Sequence, residues 1–80
     1  MKSEPINSNN DEVLYSEIDN IAILTLNRPD KLNAYNENIY YGLKEGINRI
    51  NLNDKINAII ITGAGRGFCA GADMDNLKNT

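Results

Sequence analysis

From Ile59 to Asp75 the chain reads Ile-Ile-Ile-Thr-Gly-Ala-Gly-Arg-Gly-Phe-Cys-Ala-Gly-Ala-Asp-Met-Asp. A β-branched apolar run breaks into four glycines within nine residues, Gly63, Gly65, Gly67 and Gly71, then resumes as a polar segment suited to open a helix. Consecutive isoleucines ask for a strand inside a core, and glycines directly after them make a backbone-dominated loop at the strand end. Such a loop can offer bare N–H groups to a ligand, so function is expected there.

The residues upstream give that strand a partner. Val13–Ile18 and Ile21–Asn27 read as two strands joined by Asp19-Asn20, the non-glycine residues that best tolerate left-handed backbone in a two-residue turn. In the first, Leu14, Ser16 and Ile18 alternate with Tyr15 and Glu17, so one face is expected to be wet. The second, Ile21-Ala22-Ile23-Leu24-Thr25-Leu26, is apolar on both faces and belongs at the centre of a sheet. Arg28-Pro29-Asp30-Lys31 ends it, because proline cannot donate to a ladder. Asn36 is a good N-cap with Glu37 behind it, and Ile39, Leu43, Ile47 and Ile50 recur at helical spacing, which predicts an amphipathic helix to near Asn53-Asp54. Gly42 and Gly46 weaken that helix and fit a place where another backbone packs close. Strand, helix, then strand over Asn57–Thr62 is a right-handed crossover, so the second and third strands should run parallel. A further helix is expected to start near Asp73. A parallel sheet needs cover on both faces, so the chain reads as the opening portion of a larger α/β domain.

Composition narrows the function. Eighty residues allow one small domain, and a core of that size contributes only a few kcal/mol. A net charge of -3 gives no electrostatic reason to expect nucleic acid or an acidic membrane as partner. A single cysteine and no histidine leave no internal disulfide and no histidine base or ligand within this chain. No run approaches the roughly 20 apolar residues that span a bilayer. Met1–Glu12 is polar, with neither the apolar stretch of a signal peptide nor the arginines of a transit peptide, and reads as a flexible lead-in to a domain over residues 13–80. A cytoplasmic setting is expected.

Two segments carry a family resemblance. Ile23-Leu24-Thr25-Leu26-Asn27-Arg28-Pro29-Asp30-Lys31-Leu32-Asn33-Ala34 resembles the first signature of the enoyl-CoA hydratase/isomerase (crotonase) family, and Ile60 to Asp73 resembles the second. The resemblance runs from about Leu14 to Leu77 and implies the first third of a crotonase-like spiral fold: a β-hairpin, a crossover helix, a parallel strand and the start of another helix. It implies an acyl-CoA thioester as substrate, with no separate cofactor and no metal. Hydration or isomerisation would pass through a thioester enolate whose oxygen is held by two backbone N–H groups. The first donor is expected at Ala72. Ala70, Gly71, Ala72, Asp73, Met74 and Asp75 match positions lining the acyl-CoA pocket, and Lys31, Leu32 and Ala34 match the loop touching CoA. The second donor and the acid/base carboxylates of the family belong to a later segment, so the resemblance leaves this chain with half an oxyanion hole. It also implies homotrimers and pairs of trimers for full-length relatives.

Other readings stay open beside it. The chain could be a truncated or split-gene product that at most binds CoA or a complementary chain. Gly65-Arg66-Gly67-Phe68-Cys69-Ala70 fits a dinucleotide loop after a strand, although no acidic ribose-binding residue follows at the needed distance. Cys69 reads as a small buried hydrophobe and Asp73 and Asp75 as helix-start acids. Arg66 reads as a solvated loop residue, and Tyr35, Tyr40 and Tyr41 as helix-face packing.

Overall fold

The computed structural model describes residues 3–65. Four strands form one sheet in the order β1 (Glu4–Asn7), β2 (Asn10–Ile18), β3 (Ile21–Leu26), β4 (Ala58–Gly63). The first three are antiparallel neighbours, and β3 and β4 run parallel in the register Ile21↔Ala58 to Leu26↔Gly63. The hairpin turn is as its residues require, with Asp19 at φ 51° and Asn20 at φ 66°. Helix α1 (Glu37–Asn51) makes the crossover. It starts where expected: Asn36 is extended and its side-chain oxygen accepts from the Ile39 N–H at 2.8 Å.

The lead-in expected over residues 1–12 is instead partly β1. Apart from Met1 and Pro5 this stretch is polar except for Ile6, which is fully buried, and an edge strand needs little more than one anchored apolar residue and a ladder partner. Arg49 of α1 donates to the Ile6 carbonyl at 2.8 Å, and Asn7 closes the turn by accepting from the Asn9 N–H. Pro5 sits on this edge, where a missing donor does no harm.

The core lies between α1 and one face of the sheet and consists of Ile6, Val13, Tyr15, Ala22, Leu24, Leu26, Ile39 and Ile50. Two details depart from the sequence reading. In β2 it is Val13 and Tyr15 that face the helix, while the opposite face, with Leu14 half-buried and Ile18 exposed, continues into half-buried Ile21 and Ile23, so the face left open to water carries mostly apolar side chains. In α1 the buried line is Ile39, Gly42, Gly46 and Ile50, whereas Ile47 is exposed. The glycines do admit a close neighbour, but it is side chain and not backbone. A Cβ on Gly42 would stand 2.5 Å from Val13 Cγ2, and one on Gly46 2.6 Å from Leu24 Cδ2.

The isoleucine run does not reach a core among the described residues. Ile59, Ile60 and Ile61 are 43, 47 and 41% exposed, because β4 is an edge strand beyond the footprint of α1. The tyrosines also divide: Tyr35 packs against the core, while exposed Tyr40 and Tyr41 meet edge to face at 5.2 Å.

Tyr15 has the most altered titration in the sheet. Burial, and then the 2.6 Å hydrogen bond its hydroxyl donates to Glu17, push its phenol up to about 12, against a smaller downward pull from Arg49 lying over the ring. The folded pKa is above the unfolded one, so this contribution to stability is complete below pH about 10 and is lost as pH rises through about 12. An absorbance titration should show Tyr15 as the last phenolate to form, and Tyr15→Phe should remove that final step.

Packing at the glycines gives a second expectation. Gly42→Ala gains about 1 kcal/mol of helix propensity but drives a methyl into the stiff, branched Val13, which costs about 1–3 kcal/mol. At Gly46 the obstacle is the movable tip of Leu24. The urea midpoint of Gly42→Ala should fall below those of both wild type and Gly46→Ala; a midpoint above wild type would contradict the close packing.

Candidate functional site

Because β3 and β4 are parallel, both end at the same edge of the sheet, and the segments leaving them lie side by side. Open α/β sheets bind ligands outside the carboxyl ends of such strands. After β3, Pro29–Lys31 forms one turn of 3-10 helix, and Leu32 (φ 50°) and Asn33 (φ 57°) follow in the left-handed region. For Leu32 this conformation carries strain of about 1–2 kcal/mol. The turn is closed by its own backbone: Lys31 N–H and Asn33 N–H donate to the Arg28 carbonyl, Leu32 N–H to Pro29 and Ala34 N–H to Lys31, at 2.8–3.2 Å.

Three polar side chains hold this loop. Asn33 is fully buried; its oxygen accepts from the Arg28 N–H at 2.6 Å and its nitrogen donates to the Ala64 carbonyl at 2.9 Å. Arg28 donates from one terminal nitrogen to the Ala34 carbonyl at 2.6 Å and from Nε to Glu12 at 3.1 Å. Glu12 in β2 also accepts from Asn38 at 2.8 Å and Asn36 at 3.3 Å, so one carboxylate joins the loop to the start of α1. Opposite, Ala64 N–H prolongs the ladder by donating to the Leu26 carbonyl at 2.8 Å. Gly65 takes φ 79°, and a Cβ there would lie 2.8 Å from Pro29 Cβ. The two segments are in contact.

Of the residues singled out in the sequence, Lys31 and Leu32 are exposed on the loop and Ala34 is half-buried, held through its carbonyl by Arg28. Ala70, Gly71, Ala72, Asp73, Met74 and Asp75, with Arg66 and Cys69, lie outside the described residues. Glu12, Arg28 and Asn33 acquire roles that the sequence reading did not give them. A signal existed for Asn33 alone: asparagine is among the few side chains that accept left-handed backbone and can both donate and accept. Elsewhere, Tyr35, Tyr40, Leu43, Lys44, Ile47 and Asn48 line an open apolar groove of about 230 Å³ on the outer side of α1.

A mixed sheet with one crossover helix and paired loops at its parallel end is a crotonase-type α/β arrangement. The sequence profile of the family described as Enoyl-CoA hydratase/isomerase matches residues 21–80, which take in both signatures. The chain belongs to the enoyl-CoA hydratase/isomerase family. It is 43% identical over 56 residues to the 1,2-epoxyphenylacetyl-CoA isomerase of Escherichia coli K12, covering 70% of this chain and 21% of that protein. It is 39% identical over 67 residues to a probable enoyl-CoA hydratase of Mycobacterium tuberculosis, covering 84 and 26%. The crystal structure of a probable enoyl-CoA hydratase/isomerase from Mycobacterium abscessus superposes with a TM-score of 0.78 at 38% identity, over 86% of this chain and 27% of that one. The chain thus spans about a quarter of the length of these relatives.

The loop geometry makes unequal demands on its two cations. Arg28→Lys cannot serve Glu12 and Ala34 from one planar group and should lower stability by about 1–2 kcal/mol. Exposed Lys31→Ala should stay within about 0.5 kcal/mol. Urea unfolding of both variants checks this contrast.

Proposed function

We propose that the chain binds an acyl-CoA thioester across the two segments at the carboxyl ends of β3 and β4, as part of an enzyme that hydrates or isomerises such thioesters. The observation that carries this reading is the joining of those segments by Asn33 and Ala64, within a family whose profile spans both of them. Lys31, Leu32 and Ala34 would contact the CoA portion. Ala70, Gly71, Asp73, Met74 and Asp75 would line the acyl pocket, and the Ala72 N–H would be the first donor to the thioester oxygen. An enolate forming on that thioester concentrates negative charge on the oxygen, and a backbone N–H held in place stabilises it without reorganisation. Gly71 and Ala72 are small enough to let the thioester approach the backbone. A cytoplasmic setting and trimeric assembly accompany the reading.

None of the acidic residues of this chain matches an acid/base position of the family, so the 80-residue chain is expected to bind and not to turn over. Calorimetric titration should give saturable binding of butyryl-CoA and none of NAD, which would instead mark a dinucleotide loop. Incubation with crotonyl-CoA should leave the enoyl absorbance unchanged; clear turnover would overturn the account of the missing carboxylates. In any longer protein that carries this segment and is active, Ala72→Pro deletes the donor and should cost about 10²–10³ in kcat, while Ala72→Gly keeps it.

A second reading, a non-catalytic chain that joins a complementary one, is favoured by the exposure of Ile59, Ile60 and Ile61. Co-expression with the remaining segment of a full-length relative tests it: failure of the two chains to co-purify would overturn it.

A further inference from the structure

Asn33 is buried completely, yet it sits in a loop, in left-handed backbone, directly after a leucine strained in the same way. A polar side chain taken wholly out of water must satisfy its groups, and here each end of the amide goes to a different segment. Arg28 N–H can only donate and the Ala64 carbonyl can only accept, so the carboxamide has one orientation. The first bond closes the loop onto itself; the second leaves it for a residue 31 positions away in sequence. Pro29 against Gly65 is a second, steric contact between the same two segments, at a glycine whose φ of 79° and nearby proline both disfavour a side chain.

We infer that Asn33 is a positioning residue, coupling the Arg28–Ala34 loop to the Gly63–Gly65 turn so that the two move as one unit and a ligand contact on the loop is transmitted to the strand end. The coupling rests on the geometry alone; its consequence for ligand binding rests on the acyl-CoA reading.

Asn33→Asp separates the two arms. It keeps the oxygen facing Arg28 N–H and tolerates left-handed backbone, but it sets a carboxylate oxygen against the Ala64 carbonyl. Asn33→Gly keeps the backbone unstrained and removes both arms. In amide hydrogen exchange of the ligand-free 80-residue chain, Ala64 N–H should exchange about tenfold faster in Asn33→Asp, with Arg28 N–H changed by less than about twofold; in Asn33→Gly both should accelerate. Unchanged exchange at Ala64 in both variants would overturn the coupling. Equal acceleration at all slow amides would reduce Asn33 to a general stability role and would overturn it too.

The ligand readout is the ratio of the Kd values for CoA and butyryl-CoA. Loss of coupling should weaken butyryl-CoA more than CoA and lower the preference about fivefold to tenfold in Asn33→Asp. Equal weakening of both ligands would overturn the positioning role. If the wild-type chain binds neither, the acyl-CoA reading fails, and the exchange measurement alone decides the coupling.

Discussion

The parallel ladder between β3 and β4 is the constraint on which the rest depends. Antiparallel neighbours deliver successive loops to opposite ends of a sheet. Only a parallel pair, joined by a crossover, sends the Asn27–Ala34 segment and the Gly63–Gly65 turn out of the same edge. The ladder continues one step past β4, where Ala64 N–H meets the Leu26 carbonyl, so the turn is already fixed in register when Asn33 reaches its carbonyl. What distinguishes this end of the molecule is therefore set first by strand direction and then by a single amide.

The crossover requires α1 to lie low on the sheet, and this accounts for the glycines. Helix propensity alone would favour alanine at Gly42 and Gly46. Their bare surface instead admits Val13 and Leu24, which draws the helix onto β2 and β3 and lets Arg49 reach the carbonyl of Ile6 in β1. The N-terminal turn of α1 is anchored in the same direction by polar contacts: Asn10 donates to the Asn38 carbonyl at 2.7 Å, and Glu12 accepts from Asn36 and Asn38. Glu12 holds Arg28 as well, so helix position and loop position share one carboxylate. A shift of α1 would be felt at Ala34.

Those features with a period were legible in the sequence. Strand β3, the Asp19-Asn20 turn, the Asn36 cap and the parallel return of β4 each follow from spacing or from a residue with one strong conformational preference. The burial of single residues was less so. Ile6 recruits a strand from a polar stretch because it has a slot beside β2, and no pattern of one residue announces that. Ile47 keeps the helical period yet is exposed, because the line pressed on the sheet runs Ile39, Gly42, Gly46, Ile50 and passes it by. At the candidate site the sequence pointed to Lys31, Leu32 and Ala34 on the loop after β3. It did not mark those that hold them, since Glu12, Arg28 and Asn33 come together only after the sheet has formed.

The division of labour between apolar and polar groups explains why the loops can be ordered although β4 is not enclosed. Apolar burial acts on one face of the sheet and fades toward the exposed isoleucines of β4. At that end cohesion passes to directional bonds, from Asn33 to Ala64, Arg28 to Ala34 and Arg28 to Glu12. Bonds within a buried or half-buried cluster are stronger than the same bonds in water, and they impose a position as well as an energy. Loops joined in this way keep their geometry by hydrogen bonding rather than by apolar enclosure.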